Sequence, residues 1–209
     1  MQIKIQGVNA LSSTSKMPAE SFGYGAERCL VGSKLRDVKG STCENCYAMK
    51  GAFTWSSYKN VEAKRFDLIT NQPITFKEGM IKGLLKKKKP EFRWFDSGDV
   101  QSVDMANIIL DICEATPNLM HWIPSRESKI WKDTLVDRDL PSNVTLRISS
   151  TMIDGKPSKQ FNNTSTVHTS ESNVPLGTHI CPAPKQSGKC GDCRACWNRE
   201  VKNVSYHKH

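Results

Sequence analysis

"FRWFDSGDVQSVDMANIILDICEATPNLMHWIPS", residues 92–125, is the stretch of sequence that decides the fold class. It begins with a β-rich run at residues 92–95 and ends with another at residues 121–125. Between the two runs, residues 102–115 carry apolar side chains at helical spacing. The side chains that share this helical face are Val103, Ala106, Ile109, Leu110 and Cys113. A strand, a helix and a second strand in this order indicate a parallel βαβ unit.

The same alternation continues on both sides of this unit. Helical patterns lie at residues 57–70, 74–88 and 129–136, and β-rich runs lie at residues 2–6 and 144–150. We therefore expect an α/β fold, specifically a partial (βα) barrel of parallel strands, with a cysteine-rich C-terminal segment.

Two segments are expected to form one structural unit. Residues 1–178 form the α/β partial-barrel domain, and residues 179–209 form a cysteine-rich metal-binding tail that packs on it. Residues 153–178 are rich in Asn, Ser, Thr, Gly and Pro, with one candidate strand near residues 165–169, and read as a long surface excursion.

Composition limits the classes of function. The chain has 209 residues, of which 37% are hydrophobic and 24% charged, as in a folded single domain. It shows no signal peptide and no apolar run long enough for a membrane span, so we expect a cytoplasmic protein without a membrane partner. In a reducing cytosol, eight cysteines indicate metal ligands or catalytic thiols rather than disulfides. The net charge of +9 favours polyanions, including nucleic acid.

Half of the cysteines fall in "CPAPKQSGKCGDCRAC", residues 181–196. The thiols of this run are Cys181, Cys190, Cys193 and Cys196. A C-x2-C-x2-C loop completed by a more distant Cys-Pro is typical of a [4Fe–4S] cluster. Zinc also accepts four thiolates and is the alternative at this site, although its usual knuckles are paired C-x2-C units. His179, two residues before Cys181, is a further candidate ligand.

A second set comprises Cys29, Cys43 and Cys46, the last two in "STCENCYAMKG". Three cysteines without a fourth suggest a [4Fe–4S] cluster with one iron open to a substrate or cofactor. The alternative is a buried Cys29 thiol beside a lone C-x2-C redox motif. Cys113 lies on the apolar helix face and is assigned to the core.

Three motifs together resemble a known family: "CENCYAMKG", in which Tyr47 directly follows Cys46, "FRWFDSGDVQS" and "GKCGDCRACW". This combination resembles the radical S-adenosylmethionine (SAM) enzymes, and more closely a phage-encoded group of radical-SAM-like proteins. The resemblance extends from about Cys29 to Trp197.

The resemblance implies a partial (βα)6 barrel in which Cys29, Cys43 and Cys46 are the catalytic cluster ligands and SAM chelates the fourth iron. Reduction of the cluster would then cleave SAM and release a 5′-deoxyadenosyl radical. The motif that binds the SAM amino group would correspond to Ser97, Gly98 and Asp99; a plain turn before the next helix is the other interpretation. The further implied cofactor-binding residues are Tyr47, Ser125, Arg126, Arg147 and Ser149.

Several hypotheses for the whole protein follow. The first is a radical-SAM-type enzyme with one or two [4Fe–4S] clusters, a reductant protein as partner and, for a phage protein, the host cytoplasm as location. The family loop is C-x3-C-x2-C, whereas thirteen residues separate Cys29 from Cys43 here. The second hypothesis is therefore a non-enzymatic [4Fe–4S] protein for electron transfer or redox-sensitive nucleic-acid binding. The third is a zinc-stabilised protein that binds nucleic acid.

Overall fold

The computed structural model describes residues 2–208 of the chain. Met1 and His209, the outer ends of the two predicted segments, lie outside the described residues. The strands are β1 (Lys4–Ile5), β2 (Val8–Asn9), β3 (Ser12–Ser13), β4 (Glu20–Phe22), β5 (Glu91–Trp94), β6 (Met120–Ser125), β7 (Val144–Ser149), β8 (Thr164–His168), β9 (His179–Ile180) and β10 (Asn203–His207). The α-helices are α1 (Leu30–Leu35), α2 (Ser56–Asn71), α3 (Pro73–Leu84), α4 (Val103–Glu114) and α5 (Ser128–Thr134).

Eight strands form one sheet in the order β3-β4-β5-β6-β7-β8-β10-β9. Only β3 runs antiparallel to its neighbour, and every other pair within this sheet is parallel. The predicted α/β class with parallel βαβ units is confirmed. The edge strands β3 and β9 do not pair with each other in the sheet described over residues 2–208, so no closed barrel forms.

The predicted βαβ unit at residues 92–125 is present as β5, α4 and β6. Helix α4 begins after Ser102, whose hydroxyl accepts a hydrogen bond from the amide of Met105 and so caps the helix. Its apolar face is buried in the main core, and Cys113 is fully buried there, as the sequence predicted. Helix α4 connects β5 to β6 and helix α5 connects β6 to β7, so the carboxyl ends of these three parallel strands lie on one edge of the sheet.

The helices pack on one face of the sheet, and the chain between β9 and β10 packs on the other. Alternate residues of β5 and β6, including Phe92, Trp94 and Ile123, face the main core that the helices share. On the opposite face Trp122 packs against Trp197, with ring centroids 5.3 Å apart. The chain between β9 and β10, which carries all four of the late cysteines, therefore covers the face that the helices leave free.

Some sequence predictions were wrong. The short strand expected at residues 2–6 is present as β1, but it pairs with β2 in a hairpin outside the main sheet and does not join the parallel strands. Ile3 and Ile5 of this run contact α3 where Gly83 and Gly79 leave room. The candidate strand near residues 165–169 is confirmed as β8, and because β8 is an interior strand of the sheet, the segment 153–178 is not a surface excursion over its whole length. Strands β4 and β10 were not predicted, because β4 is short and β10 is polar. Their position in the sheet is set by pairing with β5 and β8, respectively.

The C-terminal segment is integrated into the fold. Strand β10 pairs with β8 over its full length, and β9 pairs with β10 at two positions. None of the helices within the described part of the chain is long and apolar enough to cross a bilayer.

Candidate cysteine sites of the sheet

The first cysteine group, Cys29, Cys43 and Cys46, lies beyond the carboxyl end of β4. Cys29 occupies the N-terminal cap position of α1. A β-carbon built on Gly32 would lie 3.7 Å from the Cys29 Sγ and 3.6 Å from the Cys43 Sγ. The structure thus brings these two sulfur atoms together beside a residue that has no side chain.

The thiols of this group influence one another electrostatically. Burial raises the pKa of the Cys29 thiol far above its usual value, and the negative charges of Asp99, Cys46 and Cys43 raise it further. Burial also raises the pKa of Cys43, while the Arg126 guanidinium acts in the opposite direction. A bound cation would favour the thiolate forms of all three residues.

The loop that carries Cys43 is attached to the chain that follows β7. The amide of Thr42 donates to the Thr151 carbonyl oxygen at 2.9 Å, and the amide of Ile153 donates to the Gly40 carbonyl oxygen at 2.9 Å. Arg126 Nε, at the end of β6, donates to Thr42 Oγ1 at 3.0 Å. These contacts hold the loop across the carboxyl ends of several parallel strands, where α/β folds place their ligands.

Asp99 is the acidic residue predicted after β5, and it contacts two residues at the end of β6 that were predicted to bind a cofactor. Its Oδ1 accepts from Ser125 Oγ at 2.7 Å and from the Val100 amide at 2.8 Å, and its Oδ2 accepts from the Arg126 amide at 2.7 Å. Burial nevertheless raises the pKa of Asp99 to about 7, against these hydrogen bonds. The ends of β5 and β6 therefore meet at Asp99, and the cofactor-binding role expected for these residues stays a prediction.

Ser97 and Gly98 have different surroundings from Asp99. The Ser97 hydroxyl contacts Glu62 Oε1 on α2 at 2.6 Å and the Tyr24 carbonyl oxygen at 2.7 Å. Gly98 has a φ of 78°, and a β-carbon there would lie 2.8 Å from the Tyr24 ring, so this turn requires glycine. Ser97 faces a neighbouring cluster on α2, which is described below.

Tyr47 and Arg93 lie between the two cysteine groups. The Tyr47 hydroxyl donates to the Asp96 carbonyl oxygen, and Arg93 Nη2 donates to the Tyr47 hydroxyl at 3.4 Å. The guanidinium carbon of Arg93 is 4.8 Å from the Trp122 ring centroid. The positive charge of Arg93 also lowers the pKa of Cys190 against the larger effect of burial. Sequence reasoning missed Arg93, although a charged residue within a β-rich run was a signal.

Arg147 and Ser149, predicted to contact a cofactor, make protein contacts. Arg147 donates to the carbonyl oxygens of Ala195 and Asn198 at 2.8 Å, of Cys196 at 3.0 Å and of Thr164 at 3.2 Å. Ser149 Oγ lies 3.0 Å from the Ser165 Oγ. The Arg147 guanidinium thus donates most of its hydrogen bonds to the backbone of the C-terminal segment. A contact between Arg147 and a cofactor stays a prediction.

The second cysteine group, Cys181, Cys190, Cys193 and Cys196, is brought together by β9 and β10. The Cys181 amide donates to the Ser205 carbonyl oxygen, and the Cys190 amide donates to the Lys16 carbonyl oxygen, both at 2.9 Å. Burial raises the pKa of Cys196 to about 11, and the charges of Cys181 and Cys190 contribute in the same direction. Residues far apart in the chain thus hold these thiols within electrostatic reach.

Two further side chains touch the second group. The Cys193 Sγ lies 3.4 Å from the His179 Nε2, and the Cys196 Sγ lies 3.2 Å from the Tyr206 hydroxyl. His179 was a candidate ligand from the sequence, whereas Tyr206 was missed because nothing around it in the sequence predicted β10. All eight cysteines are free thiols.

Glu127 directly follows the predicted Ser125 and Arg126 and was not itself a predicted site residue. Its Oε1 accepts hydrogen bonds from the amides of Leu30 and Val31, at 3.1 and 2.8 Å, at the start of α1. Glu127 is buried and fixes the helix terminus that carries Cys29. The sequence signal was its place directly after Arg126 at a strand end.

The comparisons with known proteins give a family and no activity. Residues 4–199 match the family model described as gene product 88. No curated protein and no solved structure matches the chain. The description of the family is compatible with a phage protein, and nothing in the comparisons points to radical SAM enzymes. Because the match covers far more than half of its length, the chain belongs to the gene product 88 family.

Proposed function

We propose that the chain is an iron–sulfur protein of the radical SAM type, in which Cys29, Cys43 and Cys46 bind a [4Fe–4S] cluster. In this proposal the open sheet acts as a partial barrel and the second cysteine group binds a second cluster, with zinc as the alternative metal there. A reductant protein is the partner, and the host cytoplasm is the location.

The donor chemistry supports a cluster. Within residues 2–208, no group of three or more Cys, His, Asp or Glu side chains is positioned to hold a metal ion, so the proposal of a cluster rests on the cysteine pattern and on the chemistry of thiolate ligands. Thiolates around one zinc ion, with Zn–S bonds of about 2.3 Å, must crowd together. In a [4Fe–4S] cluster each cysteine binds a different iron atom, so the sulfur atoms stand further apart. Two sulfur atoms beside Gly32, with a third thiol in electrostatic reach, fit this larger group.

In this proposal, Arg126, Glu127 and Asp99 each have a distinct role near the first cysteine group. Arg126 stabilises the thiolate of Cys43, and Glu127 holds the helix start that positions Cys29. Asp99, with its hydrogen-bonded carboxylate, offers an acceptor for an ammonium group such as the SAM amine. When bound and reduced, a cluster would supply the electron for reductive cleavage of SAM.

The single observation that carries the proposal is the convergence of the first cysteine group with Asp99 at the carboxyl ends of β4, β5 and β6. The test is anaerobic incubation with SAM and dithionite as the electron donor, followed by detection of 5′-deoxyadenosine and methionine. We expect both products from the wild type, none from Cys43→Ala, and both from Cys113→Ala, a matched control in the core. Protein with full clusters that neither binds nor cleaves SAM would overturn the enzymatic proposal.

A non-enzymatic [4Fe–4S] protein is the second candidate, and one observation favours it. Trp197 and its neighbours cover the sheet face opposite the helices, so that face offers little room for a substrate. The net charge of +9 then suggests redox-sensitive binding of nucleic acid, with electron transfer as the other option. Binding to DNA or RNA that weakens steeply with salt, in protein that does not cleave SAM, would support this candidate.

A further inference from the structure

A cleft of about 330 Å³ lies beside the first half of α2, outside both cysteine groups. Its walls include Trp55, Tyr58 and Val61, and its polar lining residues include Ser57, Glu62 and Arg65. The volume lies at the lower end of the range of small-molecule sites, which are mostly apolar with a few placed polar groups.

The aromatic wall of the cleft, formed by Trp55 and Tyr58, includes a tryptophan side chain that is largely exposed to solvent. Trp55 is 65% exposed, whereas Trp94, Trp122, Trp131 and Trp197 are all buried. The Tyr58 ring packs edge-to-face against the Phe53 ring, with ring centroids 4.9 Å apart. A large indole left in solvent beside a supported phenol ring offers a surface on which a planar ligand can stack.

The polar lining presents one acceptor and one donor next to each other. Glu62 and Arg65 are three residues apart on α2 and are only 3% and 4% exposed. Glu62 Oε1 accepts from Ser97, while Arg65 donates from Nε to the Asn9 carbonyl oxygen and from Nη1 to Ser12 Oγ. Arg65 Nη1 also donates to the Gly23 carbonyl oxygen at 3.3 Å. The hydrogen bonds of these two side chains within residues 2–208 thus use Glu62 Oε1 and Arg65 Nε and Nη1, which leaves Glu62 Oε2 and Arg65 Nη2 for a ligand.

We propose that this cleft binds a purine base. The base would stack on Trp55, donate an N–H to Glu62 Oε2 and accept a hydrogen bond from Arg65 Nη2. Adenine carries the N6 donor beside the N7 acceptor, and guanine carries N1 and N2 donors together with the O6 and N7 acceptors. The double ring of a purine also covers an indole better than a single pyrimidine ring does.

The cleft is connected to the first cysteine group by packed side chains. The ring centroids of Tyr47 and Phe53 are 5.7 Å apart, and Phe53 in turn packs on Tyr58. Ser97 joins Glu62 to the turn that carries Asp99. The inference goes beyond the proposed function, because the residues that would bind the base do not include a cysteine.

The test uses the full-length protein with adenosine, guanosine and uridine as probes. Because Trp55 alone among the tryptophans is exposed within the described chain, quenching by iodide reports on this one residue. We expect adenosine or guanosine to protect Trp55 from iodide in a saturable manner, with uridine at least about tenfold weaker.

Calorimetric titration of two variants completes the test. Trp55→Ala and Glu62→Gln should each weaken purine binding about tenfold, while Glu78→Gln, an exposed glutamate on α3, should leave it unchanged. No saturable binding up to millimolar purine, equal binding of uridine, or unchanged affinity in Trp55→Ala would overturn the inference. Iron content is measured in the same samples, so a failure of the cleft is distinguished from a failure of the cluster.

Discussion

Replacement of Arg147 by methionine should release the C-terminal cysteine segment from the sheet. Arg147 is fully buried, and three of its four carbonyl partners belong to residues 195–198, which contain Cys196. Methionine fills a similar volume but donates no hydrogen bond, so four buried carbonyl groups lose their charged donor.

The expected magnitude follows from these contacts. Hydrogen bonds to a charged group contribute roughly 1.5–3 kcal/mol each, which sets an upper limit of about 12 kcal/mol for four of them. The variant no longer buries a guanidinium, and this offsets part of the loss, so we expect a net destabilisation of about 3–5 kcal/mol. Since a typical domain is stable by only about 5–15 kcal/mol, this is a large fraction.

Urea denaturation of the wild type and Arg147→Met measures this loss, and hydrogen exchange of the amides at residues 195–201 locates it. The control is Arg199→Met, because Arg199 is exposed and contacts its carbonyl partners at 3.3 Å. The control should change the free energy of unfolding by less than about 1 kcal/mol. A loss below about 1 kcal/mol in Arg147→Met, with exchange at residues 195–201 unchanged, would refute the reasoning.

Two other predictions concern protonation and packing. Burial lowers the pKa of His121 to about 4, so the unfolded chain binds a proton between about pH 6.5 and 4 that the folded chain does not. Stability should therefore fall by about 2 kcal/mol between about pH 7 and pH 5, and comparing urea midpoints with His121→Gln isolates this loss; equal losses in both proteins would contradict it. Gly32→Ala should place a methyl group 3.0 Å from the Cys29 Cβ and 3.6 Å from the Cys43 Sγ. We expect this variant to fold and to lose the iron of the first group only; wild-type iron content would count against a cluster there.

The fold was predictable where apolar residues follow a regular period. Helix α4 and the strands on either side of it were correctly predicted because each buries a continuous face. Strands β4 and β10 were not, since β4 has three residues and β10 reads Asn-Val-Ser-Tyr-His. Their place depends on pairing with neighbours distant in sequence, which no local pattern contains.

The candidate site shows the same division. Cysteine spacing predicts two groups of thiols, and their role as metal ligands stays a prediction, whereas the strand ends that carry Asp99 and Ser125 do meet. The contacts of Arg93, Glu127 and Tyr206 were not predictable, because each depends on partners far away in the chain. Arg147 shows how far the sequence can predict such contacts. A buried charge in a strand needs partners, but the sequence does not reveal that most of these partners are carbonyl groups of residues 195–198.

The most direct test of the central proposal is metal analysis of anaerobically purified protein, with the electron paramagnetic resonance spectrum of the reduced sample recorded before and after addition of SAM. The proposal predicts about eight irons and eight sulfides per chain if both groups hold a [4Fe–4S] cluster, or about four with zinc at the second group. It also predicts a change in the spectrum on addition of SAM that is absent in Cys43→Ala. Protein that contains no iron, or that contains zinc alone, would contradict it.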